Sequence, residues 1–195
     1  LRGFFFSYAQ SYIVILIIIA ATFGYSIYQK KSFQDQLIAK NDSILSNLPQ
    51  GMFDTLEGTP FDPHTIFKDR AGLLVVHFWG TWCGPCEAEL PELMKFIKKF
   101  DGLPEVKFLL VAVNDEKVKI QKHLKTLVIP KSSIIWVIDN RNTHRDIYGT
   151  TRVPETYVFS SDKTTLKKYI GPQEWNNPSF FQAFNEFLQI SNHKL

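Results

Sequence analysis

The chain has 195 residues, 45% of them hydrophobic and 17 of them Phe, with a net charge of +3. That length holds one domain and a further segment, and so mild a charge, without a lysine/arginine block, gives no support to a nucleic-acid partner. Two cysteines exclude a disulfide-rich scaffold, and exclude an ordinary four-ligand zinc site unless histidines complete it.

From Gly3 to Gln29 there is no charged residue. A helix needs about 20 mostly apolar residues to cross a bilayer core, so residues 4–28 are read as a transmembrane signal-anchor. Phe4, Phe5, Phe6, Tyr8 and Tyr12 at one end, with Tyr25 and Tyr28 at the other, suit interfacial belts. No small-x-small site follows the apolar core, which weighs against a cleaved leader. Arg2 on one side and Lys30 with Lys31 on the other do not fix the orientation. Residues 29–50 read as a polar juxtamembrane linker and 51–192 as the compact domain.

Within that domain, "MFDTLEGTPFD" carries a hairpin signal around Glu57-Gly58. "GLLVVHFWG" (72–80) is a continuous apolar run of strand length, as expected for a strand covered on both faces. Leu90, Leu93, Met94, Ile97 and Phe100 then recur at helical spacing. "VKFLLVAVN" (106–114) predicts a second buried strand. "EKVKIQKHLKTL" (116–127) predicts a charged amphipathic helix with Val118, Leu124 and Leu127 inward. "SIIWVID" (133–139) is a third strand, followed by a polar segment to Thr151. "ETYVFSS" and "LKKYIG" flank Asp162-Lys163 as a hairpin, and Asn177 and Pro178 cap and open a final helix. This order predicts a three-layer α/β sandwich with a mixed central sheet.

Both cysteines lie in "FWGTWCGPCEAELPEL", directly after the first apolar strand and at the start of a helix. There Cys83 meets unpaired helix N–H groups and the positive end of the dipole, which stabilise a thiolate, the nucleophile of disulfide exchange. Cys86, one turn inward, can attack a mixed disulfide formed at Cys83. Pro85 pre-sets φ at the helix start, Gly84 lets another backbone approach, and Trp82 can cover the sulfurs. A structural staple is the weaker reading, because so short a loop constrains the unfolded chain little. A metal site would need ligands beyond His77.

The motif resembles the active-site signature of the thioredoxin superfamily, and the chain around it resembles the membrane-anchored TlpA/ResA/CcmG(DsbE)-type thiol-disulfide oxidoreductases. The anchor, Glu89 and Pro91 in "CEAELPEL", and the "PET" of "VPETYVF" (153–159) carry that likeness. It implies a thioredoxin-like fold with an N-terminal hairpin extension and a strand–helix element inserted within 106–140. Cys83 would attack and Cys86 resolve, with no cofactor beyond the disulfide they form. Glu89 would donate or accept protons and tune the thiols, or else be a solvated helix residue. Pro154 would follow a cis bond from Val153, leaving backbone free to pair with an extended substrate. His77 departs from the family pattern and is either a shuttle for the Cys86 proton or a satisfied core residue. The Gly-Pro dipeptide and the acidic neighbour lean toward a reductase. The resemblance implies a domain on the periplasmic, extracytoplasmic side of a bacterial cytoplasmic membrane, fed by a membrane-embedded electron donor. Its substrates would be disulfides of apocytochrome c or of its maturation factors. The alternatives are a general envelope reductant or isomerase, a redox-inert module, and a copper-handling module.

Overall fold

Leu73–Trp79 form β3, and every one of its residues is buried, as a run without a polar face requires. The structure, a computed structural model, describes residues 15–29, 45–67, 70–130 and 132–192. The chain divides into two units, Leu1–Ser43 and Ile44–Leu195.

In the first unit, residues 15–29 form an α-helix, α1, with Ile15, Leu16, Ile17, Ile18, Ile19 and Phe23 exposed. Among the described residues no helix is long and apolar enough to cross a membrane. Residues 4–14 of the expected anchor and most of the expected linker lie outside the described residues.

The second unit is a seven-stranded mixed sheet in the order β2-β1-β5-β4-β3-β6-β7. β1 (Phe53–Thr55) and β2 (Pro60–Phe61) form the expected N-terminal hairpin. β3, β4 (Val106–Val113) and β5 (Ile134–Asp139) are parallel, while β6 (Glu155–Ser160) runs antiparallel to β3, and β7 (Thr165–Ile170) antiparallel to β6. The sheet has a thioredoxin-like arrangement. Packing begins before β1: Leu48 is buried, its N–H donates to the Lys163 carbonyl, and the Thr165 N–H donates to Ser46.

Alternation along β3 sends Val75, His77 and Trp79 to one face, and Leu74, Val76 and Phe78 to the other. The first face is covered by α2 (Gly84–Lys98), α3 (Lys117–Leu124) and α5 (Pro178–Asn192), which contribute Leu90, Leu93, Ile97, Ile120 and Phe184 to one core. Phe96 and Phe184 meet edge to face at 4.9 Å, and Phe96 and Phe100 at 5.2 Å. The second face packs against Leu48, Phe53, Phe67 and Tyr148, Tyr148 capping the short α4 (Thr143–Ile147).

Two expectations change. Val118 is exposed and Ile120 is the buried residue of α3. The inward stripe is Ile120, Leu124 and Leu127, spaced by four and three, and Val118 stands two residues away from it on the far side of the helix. The segment read as polar to Thr151 contains α4, opened by Asn142 in the left-handed region, a turn too short to show helical periodicity. The Asn177 cap is as expected, its Oδ1 accepting from the Ser179 N–H at 3.1 Å.

Candidate active site

β3 ends at Trp79, and the turn Gly80–Trp82 delivers the chain to α2. That turn is tied to the end of β4. The N–H and hydroxyl of Thr81 both donate to the buried Asp115 carboxylate, and the Trp82 indole N–H donates to the Val113 carbonyl at 2.8 Å. The Trp82 ring lies so close over Gly80 that a Cβ there would sit 2.6 Å from the indole nitrogen. Trp82 is 58% exposed. A substrate can therefore lie against an aromatic surface beside the cysteines.

Cys83 is the N-cap of α2: its backbone is extended, and its sulfur accepts from the Cys86 N–H at 3.3 Å. A thiolate at that atom has a helix N-terminus to stabilise it. Cys83 and Cys86 are joined in a disulfide, Cys83 nearly buried and Cys86 wholly so. Gly84 and Pro85 form the first turn, and nothing lies within 4 Å of the Cβ position of Gly84, so approach is open there. Pro154 follows a cis bond from Val153, whose carbonyl oxygen is 3.7 Å from Cys83 Sγ.

Glu89 is not a solvated helix residue: it is 6% exposed, on the same face of α2 as Cys86, one turn on. Its Oε2 accepts from the Trp175 indole N–H at 3.0 Å and from the Gln173 N–H at 2.8 Å. Burial pushes its carboxyl above the usual range, opposed by those two donors. His77 is likewise buried, and burial lowers it to about 3. His77 Nδ1 and Thr156 Oγ1 are 2.8 Å apart, and Nε2 faces Glu89 Oε1 at 3.6 Å. The same stretch of α2 borders an open cleft of about 750 Å³, walled by Pro85, Ala88, Pro172, Trp175 and Pro178, with Glu92 and Glu174 at its edge.

The structure thus brings Cys83, Cys86, Glu89, His77, Val153 and Pro154 together. It adds Trp175, Gln173, Thr156 and Asp115. Trp175 carried a signal in the sequence: it is the one large aromatic in the polar stretch "GPQEWNNP". Thr156 stood within the quoted "PET" segment, and nothing in sequence spacing pairs it with His77.

The Redoxin family model matches residues 41–184. The chain belongs to the Redoxin family. Within it, this redoxin is of the TlpA/ResA/CcmG type. It is 27% identical over 158 residues to the thiol-disulfide oxidoreductase ResA of Geobacillus thermodenitrificans, covering 81% of this chain and 84% of that one. The ResA of Bacillus subtilis is 25% identical over 160 residues, covering 80% and 82%. The crystal structure of StoA from Bacillus subtilis shares the fold with a TM-score of 0.52 at 21% identity, covering 69% of this chain and 96% of that one. With its cysteine pair at a helix start, this redoxin is a protein thiol-disulfide oxidoreductase.

Proposed function

We propose that this redoxin is a membrane-anchored, extracytoplasmic reductase of protein disulfides, acting on apocytochrome c or a factor of its maturation. The observation that carries the direction is the buried carboxyl of Glu89 one turn from Cys86. A carboxylate there raises thiol pKa values and disfavours the very stable thiolate of a strong oxidant. The Gly84-Pro85 dipeptide points the same way, being that of a low-potential thioredoxin.

In this reading the Cys83 thiolate attacks a substrate disulfide, releasing one substrate thiolate and forming a mixed disulfide. Cys86 loses its proton and attacks Cys83 Sγ, expelling the second substrate thiolate and closing the Cys83–Cys86 bond. Glu89 exchanges the Cys86 proton. The Val153 carbonyl beside Cys83 pairs with an extended substrate backbone, and Trp82 supports its side chains. A membrane-embedded donor returns two electrons to the disulfide. The uncharged run 4–28, with the exposed apolar side chains of α1, supports an anchor.

Trapping tests the reading. In native membranes, Cys86→Ser should hold substrate covalently at Cys83, and mass spectrometry should identify proteins with a Cys-x-x-Cys-His haem-attachment motif. Recovery of unrelated envelope proteins alone would make it a general reductant. No adduct, together with no insulin reduction by the wild-type chain, would end the enzymatic reading.

A further inference from the structure

Two polar atoms in the wall behind the cysteines, His77 Nε2 and Glu89 Oε1, are buried and have no hydrogen-bond partner among the described residues. They face each other at 3.6 Å. That is longer than a formed hydrogen bond, but catalytic contacts of this kind are commonly long before substrate arrives, and a small rotation of the carboxyl closes the gap. Every other polar atom of the pair is occupied. Glu89 Oε2 accepts from the indole of Trp175 and the N–H of Gln173, and His77 Nδ1 is paired with the hydroxyl of Thr156, the tautomer setting which of the two donates.

The remaining question is which of the two facing atoms carries a proton. If Nδ1 donates to Thr156, Nε2 is a bare acceptor, and only a protonated Glu89 can satisfy it. Burial works to the same end, disfavouring both the carboxylate and the imidazolium. Among the described residues no cation reaches the pair. The groups facing it are Thr156 on β6, Tyr169 beside it on β7, Trp175 with its ring centroid 6.3 Å from that of the imidazole, and the cysteines at the start of α2. Glu92 and Glu174 along the cleft add only negative charge. Glu155 and Lys168 pair with each other at 2.9 Å, and alternation turns Glu155 to the opposite face of the sheet from Thr156.

We propose that His77 is a positioning residue that accepts a hydrogen bond from protonated Glu89 and so keeps a proton loaded next to Cys86. This rests on the reading of Glu89 as the proton exchanger of the cysteine pair. When a donor thiolate attacks Cys83 and breaks the disulfide, Cys86 leaves as a thiolate, takes the Glu89 proton and becomes a thiol. The carboxylate left behind takes that proton back when Cys86 later attacks the mixed disulfide. Thr156 holds the tautomer that makes Nε2 the acceptor.

The test is a pH titration of the Glu89 carboxyl carbon by NMR in the oxidised full chain, the signal being assigned by its loss in Glu89→Gln. His77→Leu removes the acceptor and should lower the midpoint by about one pH unit, the worth of one hydrogen bond to the acid form. His77→Gln restores an acceptor oxygen and should return the midpoint toward wild type. Thr156→Val, nearly isosteric, frees the other tautomer and should also lower it, which keeps the test decisive if His77→Leu does not fold. A raised midpoint in the folded variants would show that Nε2 donates to a carboxylate, and an unchanged one that no hydrogen bond joins the two groups; either would overturn the proposal. The pH profile of Cys83 alkylation in the reduced chain should move with the midpoint. A lowered midpoint in a chain that never reduces insulin would remove the reductase reading and leave the shared proton standing.

Discussion

Glu89 is where residue chemistry is concentrated. Its Oε2 is held by two donors, so replacing it with Gln keeps an acceptor for Trp175 and Gln173 while removing the exchangeable proton. Loss of a positioned acid–base group costs typically 10²–10⁴-fold in rate. Glu89→Gln should therefore slow insulin reduction by about 10²-fold with the thermal midpoint nearly unchanged; a large fall in midpoint with normal turnover would make Glu89 a structural residue. The two sulfurs were legible in the sequence because strand, turn and helix onset can all be read around them. The neighbours of Glu89 were not, since Trp175 and Gln173 reach it from a loop more than eighty residues downstream.

At the scale of elements, most boundaries followed from hydrophobic pattern. Leu90, Leu93, Met94, Ile97 and Phe100 are all buried as their spacing required. α3 was harder because its charged sequence contains two β-branched residues, Val118 and Ile120, two apart, and only one can face the sheet. The structure assigns that place to Ile120. Ile120→Ala should destabilise the domain by about 2–4 kcal/mol, whereas Val118→Asp should stay within about 0.5 kcal/mol of wild type, both read by urea unfolding. Equal costs would mean that α3 packs in another register. α4 escaped detection for a different reason: its five residues are placed by the left-handed Asn142 and by the bond from the Arg145 N–H to Asp139, both tertiary facts.

For the whole molecule, burying a neutral imidazole makes stability depend on pH. His77 is depressed to about 3 from the usual 6.5, so the unfolded chain binds its proton first as pH falls. The stability this neutral imidazole permits is fully present above pH 6.5 and is lost on the way down to about 3, with a slope of at most about 1.4 kcal/mol per pH unit. Glu89, raised in the fold, works in the opposite sense, losing its contribution as pH rises through its folded value. His77→Gln should flatten the acid side of the stability curve, its urea midpoint falling less than wild type between pH 6.5 and 4. A curve parallel to wild type would mean that the imidazole is already protonated in the fold.

The residues just before β1 have a mechanical consequence. Asn47 bridges to Thr164, and Ser46 and Leu48 clasp the turn between β6 and β7. Register pairs Leu73 with Ser160, so this turn lies at the end of the sheet opposite the one where β3 leads to Cys83. Tension entering through residue 45 would load that clasp first, pulling on a hairpin and not on α2. A domain tugged from upstream would yield at its rear while its sulfurs stayed in line.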